Sequence, residues 1–428
     1  MKEKNVLDFV KSEMKPSMGC TEPVAIGLAV SNTCQYLQKA ATKIKLKLSS
    51  NIFKNAYCVK IPNTKEAGIP LAAALGYLLT KQGNTMEIFS GVNDDLVGKA
   101  HRLLCDGLIE IEAIHDNRFY IEVNAKNDDE DVTTITLDKH DNLVKVVKNG
   151  KIIIDNEIEN EDCPQGNFDI SNYTVKELID FAEKVDLSSI LFLREARDMN
   201  VAVSNEGLKK PYGLGIGKNI KEMVEKGILP NDLMYYVKSV VAAAADCRMG
   251  GGSYPAMTVM GSGNQGFQTT LPVIATADFL KLDEEKCLRG MLISILMTAR
   301  QKEKVGRLSP VCGAFLAGAS ASAAITWLLG GNYAQIEGAR KNIYASIAGM
   351  MCDGAKDGCA MKLATCAGEA VIAARLSMNG SVATKTDGIV SETIEETIDN
   401  ISVLSKVGMG GVDMNVIEIL MNKGNNQK

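Results

Sequence analysis

Four cysteines, Cys312, Cys352, Cys359 and Cys366, constrain this chain more than any other feature, because they fall in one region with Gly and Asp interspersed among them. They stand in SPVCGAFLAGASASAAI and in MMCDGAKDGCAMKLATCAGEA. The last three are seven residues apart, so one continuous helix would carry them along one face. The pairs Asp353-Gly354 and Asp357-Gly358 break such a helix, and a broken turn lets thiols converge on one ion or cluster. Iron-sulfur clusters are held by cysteine thiolates, and a cluster with three protein ligands leaves one iron open to a substrate. The plainer reading is packing, since free cysteine behaves as a small hydrophobe and is commonly buried.

Leu308 to Ile336 carries no charge, which makes it long enough to imitate a membrane span. Its density of Ala, Gly and Ser, with Pro310 and Gly330-Gly331 near its ends, suits a tightly packed buried helix better than a lipid-facing one. The chain of 428 residues has room for two or three domains, and with 5% aromatic residues its cores must be aliphatic. A net charge of -5 offers no basic field to a nucleic acid. The first residues, MKEKNVLDFVKSEMK, lack the apolar core and cleavage site of a secretory leader. The eleven cysteines are therefore expected to be reduced in the cytoplasm, which favours metal, redox or catalytic use over disulfides.

Along the first half, residues 5–14 space Val6, Phe9, Val10 and Met14 on one helical face ahead of Pro16. In KPSMGCTEPVAIGLAVSNTCQYLQKA, Pro23 is placed to open a helix capped by Thr21 or Glu22. Cys20 then stands just ahead of a helix N-terminus, where exposed N–H groups and the positive dipole end lower a thiol pKa and attract a carboxylate. A buried Cys20 in a structural turn is the alternative. Alternation over 43–50 and 56–62 predicts two strands, with Asn51 and Lys54 in the loop between them, open to a ligand or to solvent. A helix is expected over 66–81. The runs GLIEIEAI, RFYIEVNA, DVTTITLD, NLVKVV and KIIID predict an antiparallel meander, with a tight turn at Asn149-Gly150.

From Asp155 to Asn172 the chain turns acidic and polar, which marks a domain boundary and leaves Cys163 without a role. The expected class is α+β: a mixed α/β domain with antiparallel strands over 1–165 that carries the GCTEP loop, then an all-α domain over 166–428. In the second, Thr174 and Glu177 form a capping box, and helices are expected near 188–205, 218–228, 231–247, 283–301, 311–329, 333–351, 362–378 and 389–405. Two glycine-rich loops interrupt them, 249–257 and 260–272; glycine lets a backbone approach a ligand closely, and Asn264 and Gln265 supply amides there. A simple helix connection is the competing account. There is no Walker A motif and no dinucleotide fingerprint. His101, His115 and His140 lie away from these motifs, which argues against a histidine triad or zinc site.

Taken together, KPSMGCTEPVAIGLA, GSGNQGFQTTLPV, SPVCGAFLAG and MMCDGAKDGCAMK resemble the L-cysteine desulfidase family, itself similar to the bacterial iron-sulfur L-serine dehydratases. The resemblance covers nearly the whole chain. It implies an oxygen-sensitive [4Fe-4S] enzyme, independent of pyridoxal phosphate, that converts L-cysteine to pyruvate, ammonia and sulfide. Carried over residue by residue, the cluster ligands are Cys312, Cys352 and Cys359, and Cys20 falls where the dehydratases have a proton-accepting histidine. A competing carry-over makes Cys20 a cluster ligand in place of Cys359. Ser17, Thr21, Glu22, Asn51, Lys54, Asn264 and Gln265 are the candidates to hold the carboxylate and ammonium of the amino acid.

Two other classes are open at this stage. An L-serine dehydratase would share the cluster and differ in the leaving group, and a cysteine-rich binding or transport protein would share the glycine loops without turnover. The expected partner is a small amino acid, with neither nucleic acid nor membrane, and a homodimer is the assembly considered.

Overall fold

The computed structural model describes residues 2–80, 86–116, 118–156 and 168–425, so Cys163 and most of the expected boundary segment lie outside the described residues. Strands β1 (Pro16–Met18), β2 (Lys43–Ser49), β3 (Ile109–Ile114), β4 (Tyr120–Lys126), β5 (Asp131–Leu137), β6 (Leu143–Lys148), β7 (Lys151–Asp155) and β8 (Pro255–Met257) form two sheets. The larger has the order β3-β2-β4-β5-β6-β7, parallel only between β2 and β3. Its alternation is the one expected from sequence: Ile44, Leu46 and Leu48 are buried, while Lys43, Lys45 and Lys47 reach Glu110, Glu112 and Glu122 on neighbouring strands. At the β6–β7 turn Asn149 and Gly150 both take positive φ, as a tight hairpin requires.

Helices Thr21–Cys34 and Ile69–Leu78 cover one side of this sheet and cross at two glycines. A Cβ on Gly76 would fall 2.3 Å from the Gly27 carbonyl oxygen, so only glycine permits the approach. Gly76→Ala is expected to cost about 1–3 kcal/mol through overpacking, read as a lower thermal midpoint; an unchanged midpoint would show that the two helices separate freely.

The second part is helical. Helix Gly313–Leu328 lies at its centre, buried from Ala314 to Leu328. Helices Gly263–Phe279, Glu284–Val305, Tyr333–Ile347 and Cys359–Met378 pack around it. An uncharged, small-residue segment thus becomes the axis of a bundle, and among the described residues no helix is long and apolar enough to cross a membrane. The α+β class holds, as does the Thr174–Glu177 capping box.

Each terminal helix packs on the core of the other half. Helix Glu3–Glu13 inserts Val6, Leu7 and Val10 into the helical core, and helix Val412–Asn425 sends Ile417 into the α/β core. The short β1–β8 pair adds a second tie, Pro16 opposite Met257 and Met18 opposite Pro255.

Several local expectations need correction. Residues 50–56 form helix Ser50–Ala56, all buried, so Asn51 and Lys54 stand on a helix rather than in a loop between strands; the expected strand over 56–62 is reduced to a Lys60–Ala67 bridge. Burial of this helix between Thr21–Cys34 and Val412–Asn425 makes it a packed element where a loop was expected. Pro23 lies inside the first turn of Thr21–Cys34, and Cys20 occupies the N-cap position. The second glycine-rich stretch is a helix from Gly263, capped by Ser262. Its glycines serve packing: a Cβ on Gly266 would fall 2.2 Å from the Met257 carbonyl oxygen.

Candidate active site

Four helix N-termini meet around one cavity of about 90 Å³. Cys20 precedes Thr21–Cys34, Ser262 precedes Gly263–Phe279, Cys312 precedes Gly313–Leu328, and Cys359 is the first residue of Cys359–Met378. Thr21, Glu22, Asn55, Arg248, Asn264, Gln265, Cys352 and Lys362 also line it. Helix N-termini present unpaired N–H groups and a positive dipole end, so the convergence favours an anionic occupant.

Cys312 and Cys352 meet through a short antiparallel bridge between Val311 and Met351. The Cys312 amide donates to the Met350 carbonyl at 2.9 Å, and the Cys352 amide donates to the Pro310 carbonyl at 2.6 Å. The Asp-Gly turns then carry the chain to Cys359. Gly354 has φ +93°, and a Cβ there would meet the Lys54 carbonyl oxygen at 2.6 Å. Cys352 Sγ lies 3.6 Å from Asn55 Oδ1, Cys359 Sγ 3.8 Å from the Gly354 carbonyl, and Cys20 Sγ 3.8 Å from Met249 Sδ. Cys366 is different: it is buried within the bundle, 3.6 Å from Met350 Sδ and packed on Gly318, and it does not line the cavity.

Burial pushes the Cys20 and Cys312 thiols up to about 12 and raises Cys359 as well; Cys352 and Cys359 raise Cys312 further. The lowering expected for Cys20 at a helix start is thus outweighed by burial, although Arg248 opposes it. A nearby cation or a bound metal ion favours the thiolate form against such burial. Cationic side chains surround the thiols: Lys54, Lys302 and Lys362 all feel the charges of Cys312 and Cys352. Burial lowers the Lys302 pKa to about 8, against the pull of those two thiols.

Among the described residues, no group of three or more Cys, His, Asp or Glu side chains is gathered to hold a single metal ion. Thiols set around a cavity instead suit a multi-iron cluster, in which each ligand binds a different iron. Soft donors, a shared cavity, converging helix N-termini and buried lysines together fit an iron-sulfur cluster carrying net negative charge.

The other candidate residues divide. Thr21, Glu22, Asn264 and Gln265 line the thiol cavity. Ser17 is 1% exposed with no partner for its Oγ among the described residues, and it faces an adjoining cavity of about 60 Å³ that shares Thr21, Glu22 and Ser262. Lys54 pairs with Asp413, and Asn51 borders a separate cavity alongside Asp413. Sequence reasoning missed Arg248, and it set His140 aside. His140 reaches the adjoining cavity from the turn after β5, packed on Phe119 and Gly261, with its Nε2 buried and without a partner among the described residues. No local signal marked either residue, because both depend on contacts between distant segments.

Residues 145–418, well over half of the chain, match the family model described as serine dehydratase alpha chain. The chain belongs to the serine dehydratase alpha chain family. Curated relatives extend the likeness over the first residues too. A "UPF0597 protein" of Clostridium perfringens (strain SM101 / Type A) is 39% identical over 425 residues, 99% of each chain. Proteins of the same name from Desulforapulum autotrophicum and Clostridium botulinum (strain Okra / Type B1) are 37% and 36% identical, over 98% and 95% of this chain and 97% and 94% of theirs. Membership in the serine dehydratase alpha chain family implies a lyase-type enzyme with an iron-sulfur cluster. The family match includes Cys312, Cys352, Cys359, Arg248, Asn264 and Gln265, whereas Cys20, Thr21 and Glu22 precede it.

Proposed function

We propose that this serine dehydratase family member is a cytoplasmic L-cysteine desulfidase, which eliminates sulfide from L-cysteine to leave pyruvate and ammonia without pyridoxal phosphate. The observation that carries this reading is the set of three thiols, Cys312, Cys352 and Cys359, around one cavity with a fourth, Cys20, in the same wall. The first three would hold a [4Fe-4S] cluster. When bound, the cluster supplies a Lewis-acid iron free of protein thiol, suited to a soft leaving sulfur. The Cys20 thiolate takes the Cα proton and becomes the thiol, and Arg248 favours that thiolate against the burial that raises its pKa. Asn264 and Gln265 contribute amides at the start of Gly263–Phe279, where a substrate carboxylate is favoured. Protein purified without oxygen is expected to be brown, to contain iron and to form pyruvate from L-cysteine, losing both colour and activity in air. Full activity in a colourless, iron-free protein would refute the assignment.

His140 favours a second reading, L-serine dehydratase, since an acid near the reacting carbon helps a departing hydroxide. It lines the adjoining cavity, whereas the wall of the thiol cavity contains no histidine. Thiolate is the better and softer leaving group, so L-cysteine is expected to exceed L-serine at least ~10-fold in kcat/KM, about 1.4 kcal/mol in the transition state. Measuring both without oxygen decides the matter, and equal values or a preference for serine would favour the dehydratase.

A further inference from the structure

Arg248 and Glu22 are buried charges that face the thiol cavity without an ion-pair partner among the described residues. Arg248, near the end of helix Leu233–Met249, is 4% exposed, and Glu22, in the first turn of Thr21–Cys34, is 8% exposed. Both line the cavity, and neither has an opposite charge within 4.0 Å among the described residues. A guanidinium stays charged in any protein setting, and an uncompensated buried charge is costly.

Arg248 Nη1 donates to Asn264 Oδ1 at 3.1 Å, while its Nε is buried with no acceptor among the described residues. Gly263 makes the room, because a Cβ there would lie 2.5 Å from that Nε. The guanidinium is therefore pinned at the N-terminus of Gly263–Phe279, whose dipole adds to the positive field. Glu22 Oε1 accepts from Asn55 Nδ2 at 3.0 Å and Oε2 from Thr21 Oγ1 at 3.1 Å. These neutral donors orient the carboxylate without neutralising it. Besides burial, Cys20 feels both charges, Arg248 lowering its pKa and Glu22 raising it, so the thiol lies within reach of the two fields.

We propose that Arg248 and Glu22 form a clamp for a zwitterion, so that this cavity selects a free α-amino acid by its carboxylate and its ammonium together. Arg248 takes the carboxylate and Glu22 the ammonium. A ligand held by both ends keeps its Cα near the Cys20 thiol on which both charges act. The clamp rests on the reading of this cavity as the L-cysteine lyase site, and it assigns that site's specificity: peptides, N-acylated and decarboxylated thiols do not carry both charges on the α-carbon that bears the thiol side chain.

The test uses anaerobic, iron-loaded protein and truncated ligands. Cysteamine lacks the carboxylate and 3-mercaptopropionate lacks the ammonium. On the unaltered protein both are expected to inhibit with constants at least ~10-fold above the KM for L-cysteine, because each forfeits one charge-assisted contact. Arg248→Met is expected to raise that KM at least ~10-fold, with unchanged iron content and an unchanged inhibition constant for cysteamine. Glu22→Gln is expected to raise it similarly and to leave 3-mercaptopropionate unaffected. Calorimetry with L-alanine, which has no leaving group, reads the same pattern without turnover. Equal weakening of cysteamine and L-cysteine by Arg248→Met, or unchanged L-alanine binding in both variants, would overturn the clamp. Clamp-like L-alanine binding with no pyruvate from L-cysteine would keep the clamp and defeat the lyase assignment. Pyruvate formation with an unaltered KM in both variants would do the reverse.

Discussion

Cys20→Ala is expected to lower L-cysteine turnover by about two to four orders of magnitude, the usual contribution of a positioned general base, while its iron content matches that of the unaltered protein. The expectation follows from position: Cys20 stands at the N-cap position of helix Thr21–Cys34 in the wall of the thiol cavity, where both Arg248 and Glu22 act on its thiol. Removing the thiol leaves Cys312, Cys352 and Cys359 in place. The competing assignment makes Cys20 a ligand, and it has a structural basis, because Cys20 and Cys359 are near enough for the charge of one to raise the pKa of the other. Iron counts on Cys20→Ala and Cys359→Ala separate the two. Iron lost from the first and kept in the second would exchange their roles.

Cys352→Ala is expected to lose most of its iron and at least about three orders of magnitude in activity, since a Lewis acid contributes several kcal/mol and each 1.36 kcal/mol is tenfold. Cys352 is anchored beside Cys312 by the Val311–Met351 bridge, so its loss opens one side of the ligand set without disturbing the helices. Cys366→Ala is the matched comparison. That thiol is buried against Met350 and Gly318, outside the cavity, so iron and turnover are expected to persist while stability falls by about 1–2 kcal/mol from lost packing. Iron counting with thermal melts of both variants checks the contrast, and iron loss from Cys366→Ala would enlist it as a ligand.

Features determined within a few residues were legible in the sequence. The Lys-Ile-Lys-Leu alternation of β2, the Asn149-Gly150 turn and the Thr174–Glu177 capping box each depend on their own backbone, and each is present. The uncharged segment that forms helix Gly313–Leu328 could be recognised as buried from its small residues. The Asp-Gly pairs before Cys359 also announced a turn, because nothing distant has to be known to break a helix there.

Glycine was the ambiguous letter. Gly263 and Gly266 suggested a loop, yet both lie in a helix, where missing side chains let Arg248 and the Met257 backbone come close. Composition cannot separate a glycine that frees φ from one that frees space, since the second depends on a neighbour far away in sequence.

By itself the sequence singled out the candidates for the chemistry: the four cysteines, the helix start at GCTEP and the amides of Asn264 and Gln265. Only the tertiary structure decided which of them share a cavity. It moved Asn51 and Lys54 onto a buried helix beside Asp413, left Cys366 in the core, and brought in Arg248 and, next door, His140. The physical reason is that the site is made where four helix N-termini converge. That convergence is set by packing between segments distant in the chain, including the Val311–Met351 and β1–β8 pairings, and no local pattern encodes it.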